Sequence, residues 1–212
     1  MKKMILFLAV ATTAMLTSCG GSTIFPQNED NGKQVKDLVI KNFGGDKQVS
    51  AITLLSQDEL YAALGSVTIQ YKDGDKKYEQ TYADGKVGEP KEEMENAMAK
   101  QASELIANIQ NKVGVKTEAK KDYTVALESI NYDQIPYQVG AAAAMLESEY
   151  EKFVLRSYTV RVVGENELQV RFVIHAQKIG EAKEMRGRKT VTSYYDFTFE
   201  VQKDGTVDFA GI

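Results

Sequence analysis

Three stretches of strict apolar and polar alternation crowd the last third of the chain, and they leave few folds open to it. Tyr158, Val160 and Val162 form one set, Leu168, Val170, Phe172 and Ile174 a second, and Tyr195, Phe197, Phe199 and Val201 a third. A period of two places each set on one face of a strand. Between the first two lies Gly164-Glu165-Asn166, a three-residue loop whose Asn166 tolerates the left-handed conformation. That loop pairs Val162 with Leu168, Val160 with Val170 and Tyr158 with Phe172, so the apolar faces coincide. Lys203-Asp204-Gly205 does the same for Val201 with Val207 and Phe199 with Phe209, with Gly205 as the left-handed residue. The segment reads as an antiparallel meander of three long strands and a short fourth.

Earlier in the chain the same arithmetic gives a hairpin. Val67, Ile69 and Tyr71 alternate, and Tyr78 and Tyr82 resume the pattern after a turn at Lys72-Asp73-Gly74-Asp75. A two-residue loop at Asp73-Gly74 sets Ile69 opposite Tyr78 and keeps all five side chains on one face. Strands are also expected over Gln48 to Leu55 and Tyr123 to Ile130, with a turn of helix near Asp58 to Leu64. Helical spacing of Val35, Leu38, Val39 and Phe43, stopped by Gly44-Gly45, predicts a short helix from Lys33. Pro90 with Glu92 and Glu93 opens a longer one, its stripe formed by Met94, Met98, Ala102, Leu105, Ile109 and Val113. Gln138 to Lys152, alanine-rich at its start, is a second long helix.

A helix followed by a long-stranded meander over residues 138–212 resembles the cystatin-like arrangement, in which a curved sheet wraps a helix. The expected fold class is therefore α+β: an antiparallel β-meander packed against long amphipathic helices, cystatin-like in its C-terminal part. A single domain over 33–212 is preferred. The alternative is two small α+β halves, 33–117 and 118–212, similar to PepSY-like repeats, although no sequence identity between the halves supports it.

At the start of the chain Lys2 and Lys3 precede an apolar run, Met4 to Leu16, that is shorter than the roughly 20 residues needed to span a bilayer. It ends in Leu16-Thr17-Ser18-Cys19-Gly20. The string resembles the lipobox of bacterial lipoproteins of the Bacteroidota type. The resemblance implies that residues 1–18 are a cleaved signal peptide and that Cys19 becomes the acylated N-terminus. It also implies that the protein is held in the cell envelope, on the periplasmic face of the outer membrane rather than at the cell surface. Residues 19–32 are polar and glycine-rich, which reads as a flexible tether.

The remaining composition excludes more chemistry than it suggests. The net charge is −4, and it is two charges more negative once Lys2 and Lys3 are removed, which disfavours a nucleic-acid surface. Cys19 is the only cysteine and His175 the only histidine, so disulfides, zinc clusters and multi-histidine metal sites are ruled out. Neither a phosphate-cradling glycine motif nor a Gly-x-Ser-x-Gly elbow occurs, and no cofactor or metal is expected. The Asp-Gly pairs lack the ligand run of a calcium loop, and Glu147 and Glu151 share a solvated helix face. Lys178 to Lys189, rich in both charges, reads as the soluble tip of a long hairpin.

Four residues stand out as binding candidates. Tyr194 and Tyr195 are adjacent on a strand, so they point to opposite faces. His175 and Arg171 lie on the polar face of the second meander strand, where His175 reads as solvent-facing and Asp196 of the next strand is its natural partner. The expected function is a non-enzymatic module of the envelope that binds a ligand or a protein partner. The alternative is a carboxylate-dependent hydrolase using His175 as an accessory acid or base.

Overall fold

The structure is a computed structural model that describes residues 24–57, 62–93, 122–181, 184–186, 189–191 and 193–211. Its strands in chain order are β1 (Gln48–Val49), β2 (Ala51–Ser56), β3 (Leu64–Asp73), β4 (Lys76–Ala83), β5 (Lys86–Val87), β6 (Lys91–Glu92), β7 (Val125–Ala126), β8 (Tyr150–Gly164), β9 (Glu167–Lys178), β10 (Glu184–Arg186), β11 (Lys189–Val191), β12 (Tyr195–Val201) and β13 (Val207–Phe209). The described helices are α1 (Asn31–Phe43) and α2 (Ile135–Leu146). One nine-stranded sheet runs β13-β12-β9-β8-β2-β3-β4-β5, with β6 added on β4, and all its pairs are antiparallel.

The C-terminal meander forms in the predicted register: Val162 faces Leu168, Val160 faces Val170 and Tyr158 faces Phe172. Phe199 pairs with Phe209 and Val201 with Val207. Asn166 and Gly205 hold the left-handed values φ 58° and 85° that these turns require. The β3–β4 hairpin keeps its apolar residues on one face but turns at Gly74-Asp75, so Tyr71 rather than Ile69 sits opposite Tyr78. Gly74 at the first loop position takes φ 59°, which suits the twist of a two-residue hairpin.

The expected fold class needs correction. The described part is mostly antiparallel sheet, and α1 and α2 are only 13 and 12 residues long, not long amphipathic helices wrapped by a curved sheet. Nor is the meander a separate cystatin-like part: β2 pairs with β8, which joins β2–β6 to the same sheet. The helix expected over Gln138 to Lys152 stops at Leu146, and Tyr150 to Lys152 belong to β8. Aromatic and branched residues favour strand there, and Tyr150 packs edge-on against Tyr195 and Phe197 of β12, two strands away on the same face. Lys91 and Glu92, expected in a first helical turn, pair with β4, where Glu92 accepts a 2.8 Å ion pair from Lys76. The rest of that expected helix, 94–113, lies outside the described residues, as does Asp58 to Tyr61. Tyr123 to Ile130 yields only the two residues of β7 before a 3-10 turn at Leu127–Ser129, because Leu127 and Ile130 must both turn into the core.

An apolar row crosses the sheet at one level: Tyr82, Val67, Leu54, Tyr158, Phe172, Phe199 and Phe209 are successive cross-strand partners. The rings of Tyr158, Phe172, Phe199 and Phe209 stack in sequence with centroids 5.8, 5.6 and 4.7 Å apart. The helices close over this face through Val35 and Val39 of α1 and Ile135, Val139, Ala142 and Leu146 of α2. The Tyr158 hydroxyl, whose burial pushes its pKa up, donates to Gln138 Oε1 at 2.5 Å and fixes α2 to the row. The opposite face is polar at the same central level. Thr159, Thr53, Thr68 and Thr81 are cross-strand neighbours over four strands, with hydroxyl contacts of 3.1 Å for Thr53 and Thr159 and 2.9 Å for Thr68 and Thr81.

Residues 24–30, read from the sequence as part of a free tether, are seated on the domain. The Leu64 N–H donates to the Ile24 carbonyl at 2.7 Å, and the Asn31 side-chain amide donates to the Phe25 carbonyl at 3.1 Å. Pro26 is buried beside Leu54, Leu64 and Leu155. The segment has enough apolar groups, in Ile24, Phe25 and Pro26, to offset the entropy of ordering it.

Gly32, in the first turn of α1, meets the turn before α2 so closely that an added Cβ would lie 2.7 Å from Asp133 Cα and 2.9 Å from the Tyr132 carbonyl. Gly32→Ala is expected to lower stability by about 1–3 kcal/mol through overpacking against backbone. Gly140→Ala, where a Cβ meets nothing within 4 Å inside α2, is expected to raise it by about 0.5–1 kcal/mol. Denaturant unfolding of the two variants measures the contrast.

Candidate functional site

On the polar face of the sheet, β9 carries the two buried polar residues of the described core, His175 and Gln177, at 8 % and 6 % exposure. They share a face because they flank Ala176, which points inward. Sequence alternation predicts that placement but assigns His175 to solvent, and the structure buries it. Asp196 on β12 is its direct cross-strand partner, with Oδ1 2.6 Å from His175 Nδ1. The Tyr194 ring stacks on the imidazole at 4.7 Å with the planes 8° apart. Asp196 itself stays open to water, its side chain 63 % exposed.

Next to this group the β8–β9 ladder shifts register between Glu151 and Val154, and Lys152 takes a positive φ of 57°. The extra residue turns the Lys152 ammonium so that it donates to Gln177 Oε1 at 2.8 Å. A positive φ at a residue with a side chain costs energy and persists only where the surroundings hold it. Here the hydrogen bond to a buried amide is that hold. The polar cluster of Tyr194, His175, Asp196, Gln177 and Lys152 thus occupies one end of the sheet.

Chemically, the carboxylate accepts a hydrogen bond from Nδ1–H and orients the ring, as in the base half of a catalytic triad. Among the described residues no hydroxyl or thiol hydrogen-bonds to the other ring nitrogen, so the pair as described orients a base with no nucleophile beside it. Stacking and burial make the ring equally a structural pin between β9 and β12. Arg171, the third candidate on β9, is four residues away on the same face and pairs with Glu200 at 3.0 Å. The Gln169 amide, and then the Arg171 guanidinium, hold the Glu200 carboxyl below its usual range. Tyr195 points to the other face, where it is 37 % exposed and donates its hydroxyl to Glu181 Oε1 at 2.7 Å. The four sequence candidates therefore separate: His175 and Tyr194 are in contact, while Arg171 and Tyr195 stand apart from them.

A different site lies at the opposite end of the sheet. Gln48, Thr124, Val125, Ala126, Ser129, Asn166 and Leu168 line an open groove of about 430 Å³ between the β1–β7 ribbon and the β8–β9 hairpin tip. The lining is more polar than apolar, with amide and hydroxyl groups of Gln48, Thr124, Ser129 and Asn166 beside Val125, Ala126 and Leu168, and carries no charged side chain. Its wall is held from behind, since Asp122 accepts from Lys72 at 2.9 Å and lies 3.6 Å from Lys77. Sequence reasoning missed the groove, because its residues come from three distant segments with no motif among them.

Two measurements test these assignments. His175→Ala should lower stability by roughly 2–4 kcal/mol, as loss of a buried aromatic ring with its hydrogen bond does, and a melting curve reads it directly. A catalytic histidine alone would leave the melting temperature unchanged. The Lys72 hydrogen bond depresses the Asp122 pKa below its ordinary 3.8. A depressed folded-state pKa adds stability above the ordinary value that is lost as pH falls through the lower one. Stability of the wild type should therefore drop more steeply than that of Asp122→Asn below about pH 4.

Comparison with family models, with curated proteins and with solved structures finds no match to this chain.

Proposed function

We propose that this protein is a lipid-anchored lipoprotein of the cell envelope, held on the outer membrane through Cys19, whose folded domain binds a small ligand or a protein partner without catalysing a reaction. The observation that carries the binding half is the groove lined by Gln48, Thr124, Ser129, Asn166 and Leu168. Its volume lies in the range of small-ligand clefts, and its amide and hydroxyl groups stand beside the apolar Val125, Ala126 and Leu168. The anchoring half is supported by the leader and the Leu16-Thr17-Ser18-Cys19 string.

A second reading, a hydrolase with His175 as accessory acid or base, is favoured by one observation, the 2.6 Å contact with Asp196. The binding reading is preferred because the pair is packed under Tyr194 and, among the described residues, has no nucleophile beside it.

Metabolic labelling with a palmitate analogue should mark the wild-type protein and miss Cys19→Ser, which should still be exported but leave the membrane fraction. Equal labelling of both, or a mature N-terminus well downstream of Cys19, would refute the anchor. A partner recovered from detergent-solubilised envelopes should bind Leu168→Glu at least about tenfold more weakly, about 1.4 kcal/mol, with Tyr195→Ala unchanged. Retention of full affinity by Leu168→Glu would take the groove out of the binding site.

A further inference from the structure

The strands put the two ends of the sheet in different company. At one end stand the finish of β2, the start of β3, the start of β8, the finish of β9 and the start of β12. The other end has the hairpin tips at Gly74-Asp75, Glu165-Asn166 and Asp204-Gly205, together with the groove. Along β3, from Leu64 to Asp73, the two are separated by roughly 30 Å at about 3.4 Å per residue.

The chain enters the fold at the first of these ends. Ile24 is tied there by the hydrogen bond from Leu64 N–H to its carbonyl, and Cys19 is five residues earlier. Five residues reach at most about 18 Å even when fully extended. That reach is shorter than the sheet is long. An acylated Cys19 must therefore bring the Leu64 end close to the bilayer, while the hairpin tips can be kept away from it.

The same end displays apolar side chains that the core does not use. Ile179, just past β9, is 49 % exposed, and its N–H donates to the Glu149 carbonyl between α2 and β8. Met145, in the last turn of α2, and Tyr195, which packs on Tyr150 at the start of β8, are exposed at the same end. Aliphatic tips with a tyrosine among them suit the boundary between headgroups and acyl chains. The acidic body favours the same pose, because the chain's net charge of −4, two units more negative without Lys2 and Lys3, is repelled from an anionic surface if the domain lies flat.

Resting on the lipid-anchor reading above, we infer that the Met145, Ile179 and Tyr195 end of the sheet is a membrane-contact surface. The domain stands end-on upon the bilayer, with the groove at Asn166 and Leu168 facing away from it. His175 and Asp196 then lie on the membrane side, and a partner reaches the protein at the hairpin tips.

The test supplies the anchor chemically, so that it does not depend on what the cell does. The mature chain beginning at Cys19, its only cysteine, is coupled through that thiol to maleimide-headgroup phosphatidylethanolamine in vesicles of phosphatidylethanolamine and phosphatidylglycerol. Photoreactive benzoylphenylalanine is placed at Met145, Ile179, Leu168 or Asp204. Cross-linking to lipid should be several-fold stronger from Met145 and Ile179 than from Leu168 and Asp204. Equal yields from the four positions, or the reverse order, overturn the orientation while leaving the lipid anchor standing. Failure of Cys19 to label with palmitate in cells overturns it by the other route, by removing the membrane.

Discussion

The structure depends on the short antiparallel ladder between β2 and β8. Ile52 faces Val160 and Leu54 faces Tyr158 across it. On one side of this seam are β3 to β6, on the other β9, β12 and β13. Without it the molecule would be two open sheets, each with a long unpaired edge, and the apolar row from Tyr82 to Phe209 would be cut in the middle. Edges of that kind invite pairing with other chains. The seam also aligns the polar face, because a register slip of one residue would carry Thr53 and Thr159 into the core and Ile52 and Val160 out of it.

What was legible in the sequence was local. The β8–β9 and β12–β13 registers follow from alternation plus a left-handed turn residue, and both are as expected. The β3–β4 face was also legible, though not its pairing, since Asp73-Gly74 and Gly74-Asp75 are equally good turn positions and the choice moves every pair by two residues. The β2–β8 seam was not legible. No turn connects those strands, and several apolar strands of similar length could have matched either one. The expectation of long helices failed for a related reason: Gln138 to Lys152 has helical composition at its start, but Tyr150 gains more from Tyr195 and Phe197, which are distant in sequence.

The candidate sites divide in the same way. Alternation places His175 and Asp196 on one face of neighbouring strands, and the contact between them follows. Burial of the ring does not, because it depends on Tyr194 stacking over it and on a bulge at Lys152 that no residue pattern announces. The groove is still less visible, since Gln48, Thr124 and Leu168 are ordinary residues until the chain brings them together.

The seam also has a consequence in time. The Thr53 and Thr159 hydroxyls that meet across it are 106 positions apart in the chain. Closing so long a loop is entropically costly, and folds dominated by such distant pairings assemble slowly. As the chain leaves the ribosome, β2 has only β3 beside it until β8 has been synthesised. The sheet therefore cannot be completed early. Under the proposed export, in which a precursor threads through a membrane unfolded, delayed closure keeps the chain open for translocation.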